Sequence, residues 1–482
     1  MVVLGAVGLI WAAPALEAQA TKPAKPVVSA LKATPSSVSS GGSTFLSATV
    51  SGATECILAS SLRRPVAELP TRFSCESGSV HRNLVMPTVT GSKPSIYKLA
   101  LTAVGAGGKA KASVSVSVSP AAQVSAVPGR VAEREEHACA VKTSGHVECW
   151  GSGMDGELGN ESNENSYSGV EVRDMSEAVQ VGAGGQDTCA VLASAHAACW
   201  GNGTWGQLGD GGTNPSGGIP VEVQGIEDGT QIATGAVHSC VLLSTRRVMC
   251  WGRNELGALG NETVFPTSDV PVEVTGVSEA TQLGAGWEDS CALLASGHID
   301  CWGLDTDGQL GSGANTEVAR EPEEVKGIAD AVQISVGAAT TCAVLATKHI
   351  DCWGLNTSGQ LGNDTDVNSN VPIEVHEIGD AIQVAVGEDH TCALLQTGRL
   401  ECWGADKLGQ LGNGETVEHL YLPTQVKKIE TGLEVVAGEQ VGCALLSSLH
   451  VECWGANGSG QLGNGITSEG PTDEPVEAHG MP

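Results

Sequence analysis

The strongest constraint on this chain is a ruler of cysteines. A first cysteine recurs at Cys139, Cys189, Cys240, Cys291, Cys342, Cys392 and Cys443, a period of 50 or 51 residues. Each has a companion ten positions on, at Cys149, Cys199, Cys250, Cys301, Cys352, Cys402 and Cys453. A fixed period of this length marks a stack or ring of equal units, each too small to bury a hydrophobic face alone. In the fourth unit, "QLGAG" around Leu283, "CALL" from Cys291, "IDCW" ending at Trp302 and "EEV" around Glu324 read as four short strands. Four strands in about 50 residues is the pattern of a propeller blade. Only 3% of the chain is aromatic and 64 residues are glycine, which suits tight turns between strands better than helical bundles.

The cysteine spacing has a local explanation. In "CALLASGHIDC" a hairpin with loop Ala295-Ser296-Gly297 sets Leu293 against Ile299 and Cys291 opposite Cys301. Cross-strand partners of the non-hydrogen-bonded kind lie close enough for a disulfide. Paired zinc-ligating cysteines usually stand two to four residues apart, whereas here nine residues intervene. A disulfide closing so short a loop contributes about 2–3 kcal/mol and pins the register. The third loop residue needs a left-handed backbone, which Gly145, Gly297 and Gly398 provide; Ala195, Arg246, Lys348 and Leu449 stand there in the other units, so other loops are expected in those hairpins.

After each hairpin comes a strand like "PVEV", seven in all, the last at residues 475–478. Since the first hairpin has none before it, the last is expected to pair into the blade begun near Val131 and so tie the ring shut. The expected fold is all-β: a seven-bladed β-propeller over residues 121–482, preceded by a β-sandwich over residues 21–120, where period-two alternation such as "STFLSATVSG" runs between glycine-rich turns. Residues 120–130 read as a linker. Residues 1–20 form an apolar run ending in Ala18-Gln19-Ala20 and read as a signal peptide, so an extracellular chain is expected. Paired cysteines agree with an oxidising compartment.

Charge divides the chain. Residues 21–120 carry 11 Lys and Arg against 3 Asp and Glu, while residues 121–482 carry 14 against 51. So acidic a surface repels phosphate backbones, and nucleic acid is not an expected partner of the larger part.

Two resemblances add to this reading. "YKLALTAVGAGGKAKASVSVSVS" resembles the closing hairpin of bacterial immunoglobulin-like modules, with its turn at Gly105-Ala106-Gly107-Gly108; Cys56 and Cys75 would then bridge within that module. "HTCALLQTGRLECWGADKLGQLGNG", residues 390–414, is similar to the repeat of the regulator of chromosome condensation family, and the match recurs copy by copy over residues 131–482. That resemblance implies a seven-bladed propeller. Its functional implications are broader: the eukaryotic founder promotes nucleotide exchange on a small GTPase, and related bacterial propellers include a secreted inhibitor of β-lactamases.

No catalytic constellation emerges, and the chain is read as no enzyme. Trp150, Trp200, Trp251, Trp302, Trp353, Trp403 and Trp454 recur once per unit and read as core. His137, His238 and His390 precede a first cysteine by two positions, but Asp187, Asp289, Thr340 and Val441 replace them elsewhere, and no nucleophile–base pair forms. Acidic "NDTDVNSN" from Asn363 lacks the spacing of a calcium loop. No metal or cofactor is expected. Six Asn-x-Ser/Thr sites stand at Asn160, Asn202, Asn261, Asn356, Asn363 and Asn457.

Strand direction alternates within a blade, so the loop before "CALL" and the long loop after "CWG" emerge at one end of the ring. Five aromatics outside the repeat consensus fall in these loops: Tyr167, Trp205, Phe265, Trp287 and Tyr421, with Glu288, Asp289, Glu388 and Asp389 at the same end. Exposed aromatics on one face are typical interface anchors. The expected protein is a monomeric, exported, non-catalytic scaffold that binds a protein or a cell-surface glycan through these loops and has no membrane span. Inhibition of a secreted enzyme and nucleotide exchange are the alternatives.

Overall fold

The structure is a computed structural model that describes residues 23–34, 37–38, 43–60, 69, 71–75, 78–85, 95–118, 130–314 and 316–480. The proposed signal peptide and nearly all of the linker lie outside them. The chain divides into two compact units, Met1–Gln123 and Val124–Pro482.

In the first unit, a three-stranded sheet and a five-stranded sheet share one core. Alternation does the work: on the long strand Ser95–Gly105, Tyr97, Leu99, Leu101 and Ala103 are buried while their neighbours face outward. That strand turns at Ala106-Gly107 into Gly108–Val118, with Gly105 paired to Gly108. Cys56 and Cys75 are bonded within this core.

The second unit is a seven-bladed propeller. Each blade is a four-stranded antiparallel sheet built from consecutive chain. In the fourth blade the strands are Ala280–Ala285, Asp289–Leu294, Ile299–Leu304 and Val318–Glu324. The seven first strands form an inner ring in which each touches the next, including the last with the first. Cys291 faces Cys301 and Leu293 faces Ile299. The same register holds in all seven hairpins, where the bonded cysteines have Cα atoms 4.0–4.1 Å apart.

Two expectations are overturned. Ala195, Arg246, Lys348 and Leu449 adopt φ of 67°, 63°, 70° and 69°, beside 86° at Gly297, and keep the same loop. Their amide N–H groups donate to Leu192, Leu243, Leu345 and Leu446 as Gly297 does to Leu294. The disulfide and strand pairing therefore outweigh a left-handed cost of about 1–2 kcal/mol. Nor does the tail complete the first blade. The outer strand Ser468–Glu477 pairs within the seventh blade, Val476 opposite Cys453. The first blade already has its four strands, with Val131–Arg134 as the inner one.

The ring closes by repetition. Each tryptophan Nε1 donates at 2.8–2.9 Å to a backbone carbonyl of the preceding blade, such as Trp302 to Ala258 and Trp353 to Gln309. Trp150 of the first blade donates in the same way to Gln461 of the seventh. Gly463 lies so close to the Trp150 indole that a Cβ there would sit 2.9 Å from Cδ1, and its φ is +66°. Val131, Ala138 and Trp150 share a core with Val441, Cys453, Leu462 and Ala478 across that seam.

Candidate binding end and its axial pocket

At the inner ring, glutamines clamp successive blades. Gln282 donates to the Ile334 carbonyl and accepts from the Ile334 amide, at 3.1 and 2.9 Å. Gln180, Gln231, Gln333 and Gln383 repeat this two-way bond. Each side chain thus satisfies a strand edge that faces the axis and has no neighbouring strand to pair with. Sequence reasoning passed over these residues, although they recur nine positions before the first cysteine in five blades.

Just beyond, five positions before the first cysteine, six blades carry glycine: Gly184, Gly235, Gly286, Gly337, Gly387 and Gly438. They approach one another closely: the amides of Gly185, Ala236, Ala338 and Glu388 donate to the next blade's glycine carbonyl at 3.0–3.3 Å. In the first blade the position is Arg134. Its guanidinium reaches across the axis to the carbonyls of Thr234 and Ala285, at 3.3 and 3.0 Å. A pocket opens here, lined by Arg134, Glu135, Trp287, Glu388, Gly438 and Glu439 among others.

Below the mouth lies a belt of fully buried polar groups. His137 bonds Thr188 of the next blade at 2.9 Å, and His238 bonds Ser290 at 2.8 Å. Burial depresses these imidazoles, His137 to about 4 and His238 to about 3. His390 is held to about 4 by burial as well. Its neighbour in the next blade is Gly442, which has no hydroxyl, and both His390 nitrogens lack a partner. A Cβ at Gly442 would sit 2.6 Å from the Trp454 indole, so a side chain there requires the indole to shift. Burial drives the carboxyls of Glu133, Asp187 and Asp289 well above the usual range, and Arg134 opposes this in all three.

The aromatic candidates separate into groups. The amide of Leu304, just after "CWG", donates to Glu288 in the loop before "CALL", which joins the two loop sets at one end. Trp205 lies under the Arg253 guanidinium, 4.9 Å from ring centroid to Cζ, and Arg253 bonds Glu288 at 2.7 Å. Burial raises the Glu288 carboxyl and Arg253 works against it. Trp287, next in sequence, lines the axial pocket and is 41% exposed. Phe265 stands out at 71%. Tyr167 and Tyr421 instead rest on Gly460 and Gly359 of the preceding blades, and the Tyr421 hydroxyl meets His419 Nε2 at 2.7 Å. Of the expected acidic group, Glu388 and Asp389 are half-buried near the mouth, whereas Asp289 is fully buried. Exposed Val264, Val367 and Ile466 occupy the long loops of the third, fifth and seventh blades and had not stood out in sequence.

In five blades the long loop is ordered by one buried residue, Asn254, Asp305, Asn356, Asp406 or Asn457. Asn356 donates to Thr365 and Val367 carbonyls and accepts from Leu361. Asn457 has the same role, so these two acceptor-motif asparagines are 0% and 1% exposed and are used internally. The acidic stretch from Asn363 belongs to the Asn356 loop, its Asn363 side chain accepting from Asn356 and Thr365. The opposite end of the ring is paired among itself: His146, His196, His298, His349 and His450 each bond a glutamate of the outer strand, at 2.8–3.1 Å.

Seven four-stranded blades closed in a ring, with the long loops gathered at one end, define a β-propeller. Models of the regulator of chromosome condensation (RCC1) repeat match residues 199–242, 296–344 and 352–394, and a second such model matches residues 230–258, 331–360 and 381–410. The matched residues of the propeller are repeats of the RCC1 family. The ultraviolet-B receptor UVR8 of Arabidopsis thaliana is 29% identical over 253 residues, 50% of this chain and 56% of that one. The secretion-regulating guanine nucleotide exchange factor of Mus musculus is 28% identical over 174 residues, 32% of this chain and 37% of that one. The chain spans 13% to 56% of the lengths of five curated relatives that it matches. Among solved structures, Prp20p of Saccharomyces cerevisiae superposes with a TM-score of 0.62 at 22% identity, covering 73% of this chain and 86% of that one. Human WBSCR16 does so with a TM-score of 0.57 at 21%, covering 64% and 84%.

Proposed function

We propose that this chain is an exported, non-catalytic binding protein that takes up a partner protein on the loop end of its propeller. One observation carries the reading: Val264, Phe265, Val367 and Ile466 are 60–78% exposed on loops of that end, with Trp205 partly exposed in a further loop and Trp287 at the axial pocket. Large apolar side chains held out on ordered loops are interface anchors. Eight bonded cysteine pairs favour an oxidising compartment. Prp20p is described as binding Gsp1p and histones, which agrees with protein recognition by this fold.

The test compares the chain with a variant carrying Phe265→Ser, Val367→Ser and Ile466→Ser, each immobilised and exposed to culture medium, with retained proteins identified by mass spectrometry. A protein held by the wild type and lost from the variant is expected. If it is a hydrolase whose activity falls on binding, the role is inhibition. Retained proteins indifferent to the variant, with sugar arrays or intact cell walls binding equally to both, would overturn the reading.

A further inference from the structure

We propose that the outer face of the five-stranded sheet in the first unit binds an acidic polysaccharide, an extended chain of sugars that carry carboxylates. The site belongs to a different unit from the loop end of the propeller, and the reading above is not needed for it. Alternation along the strands Ser95–Gly105 and Gly108–Val118 turns Tyr97, Leu99, Leu101 and Val116 into the core. It thereby turns Lys98, Lys109, Lys111, Ser113 and Ser115 outward, and all five are exposed. Lys98 stands opposite Ser115, and Lys111 opposite Thr102. The outward column of one strand therefore reads lysine, lysine, serine, serine, with a third lysine beside Ser115.

The charge of this face is not cancelled from within. Among the described residues of the sheet, the one carboxylate is Glu55, and Arg72 pairs with it at 3.3 Å; none pairs with the three lysines. Residues 21–120 as a whole carry 11 Lys and Arg against 3 Asp and Glu, so the surroundings add cations rather than anions. In the propeller, by contrast, exposed Lys407 and Lys428 are held by Glu418 and Glu474, at 2.9 and 2.8 Å. The ammonium groups of the sheet are left for an anion from outside the chain.

The arrangement selects the class of anion. Lys109 faces Val104, well along the strand from Lys98, so the three charges are strung over about 20 Å. A single phosphate is held in a concavity where donors converge, whereas a string of cations on a flat face fits a linear polyanion. Among the described residues no aromatic side chain stands on this face, which denies the bases of a single-stranded nucleic acid a stacking platform. Exposed Ile96 stands alone at one end, too little apolar surface for insertion into lipid. Ser113 and Ser115 supply hydroxyls that donate and accept as sugar hydroxyls do, and the lysines beside them meet carboxylates.

The experiment measures binding of the full chain to immobilised polygalacturonate at low and high salt, beside neutral dextran, sodium polyphosphate and phosphatidylglycerol vesicles. Polygalacturonate should bind best, dextran should not bind, and salt should weaken the complex. Lys98→Gln, Lys109→Gln and Lys111→Gln together should lower the affinity about a hundredfold, at about fivefold per lysine, and Lys98→Arg, Lys109→Arg and Lys111→Arg should retain it. Ser113→Ala with Ser115→Ala should weaken the binding of polygalacturonate and spare the weaker binding of polyphosphate. Removing as much charge from the propeller, by Arg247→Gln, Lys407→Gln and Lys428→Gln, should change nothing. Binding to polyphosphate or vesicles as tight as to polygalacturonate, an equal loss from the propeller substitutions, or indifference to the triple glutamine variant overturns the proposal. The variant with Phe265→Ser, Val367→Ser and Ile466→Ser should hold polygalacturonate as the wild type does, so failure at either surface leaves the other standing.

Discussion

The first blade and the other six are alike at the outer radius and unlike at the axis. Away from the axis, Trp150 meets Gln461 across the seam as Trp302 meets Ala258 within the ring. At the axis, the six glycines give way to Arg134, and the small residues before them, such as Ala183 and Ala285, give way to Glu133. The difference teaches that closure needs no special device, because identical units meet themselves after seven steps. What the axis needs is one departure from the repeat, since seven identical units leave a hole that only an asymmetric side chain can cross.

The largest effect is expected where the seam and the ring agree. Trp150→Ala and Trp302→Ala each empty a fully buried indole site and should cost about 3–5 kcal/mol in denaturant unfolding. If the seam is an ordinary junction, the two values should lie within about 1 kcal/mol of each other; a much smaller loss at Trp150 would show that the seam is held elsewhere. An intermediate effect tests the axis. Arg134→Gly makes the first blade match the others but forfeits bonds to two carbonyls, and should cost about 2 kcal/mol; a stabilised variant would make the glycine ring self-sufficient. The smallest effects concern the hairpins. Gly297→Ala should lose about 1–2 kcal/mol, because φ is +86° and the new Cβ would meet the Ala329 carbonyl at 2.7 Å. Leu449→Gly should gain less than about 1 kcal/mol in thermal unfolding, relief of the left-handed cost being offset by unfolded-chain entropy.

Much of the outer radius was legible in the sequence. Cys291 to Cys301 stated the hairpin register, because a loop of fixed length allows one pairing only. Trp205, Phe265 and Trp287 stood out because they break a consensus. The axis was not legible. "VAERE" does not look like "QLGAG", so the first blade's inner strand passed unrecognised and the tail was assigned to fill a place already taken. Sequence offers no measure of distance to the axis, so Arg134 reads as one more surface charge until its partners on the third and fourth blades are seen. The packing of Tyr167 and Tyr421 was hidden for a similar reason: a loop aromatic and an aromatic lying on a neighbouring blade's glycine are written with the same letter.

Because every blade is made of contiguous chain, assembly has a built-in order. A hairpin can be oxidised as soon as about fifty residues have emerged, and each new blade buries its face only by docking on its predecessor's exposed flank. The contacts of the seam, Trp150 with Gln461 among them, must wait for the polymer's final stretch. Until then the nascent molecule is an open crescent with both flanks apolar, the stage at which two growing chains could most easily take up each other's blades.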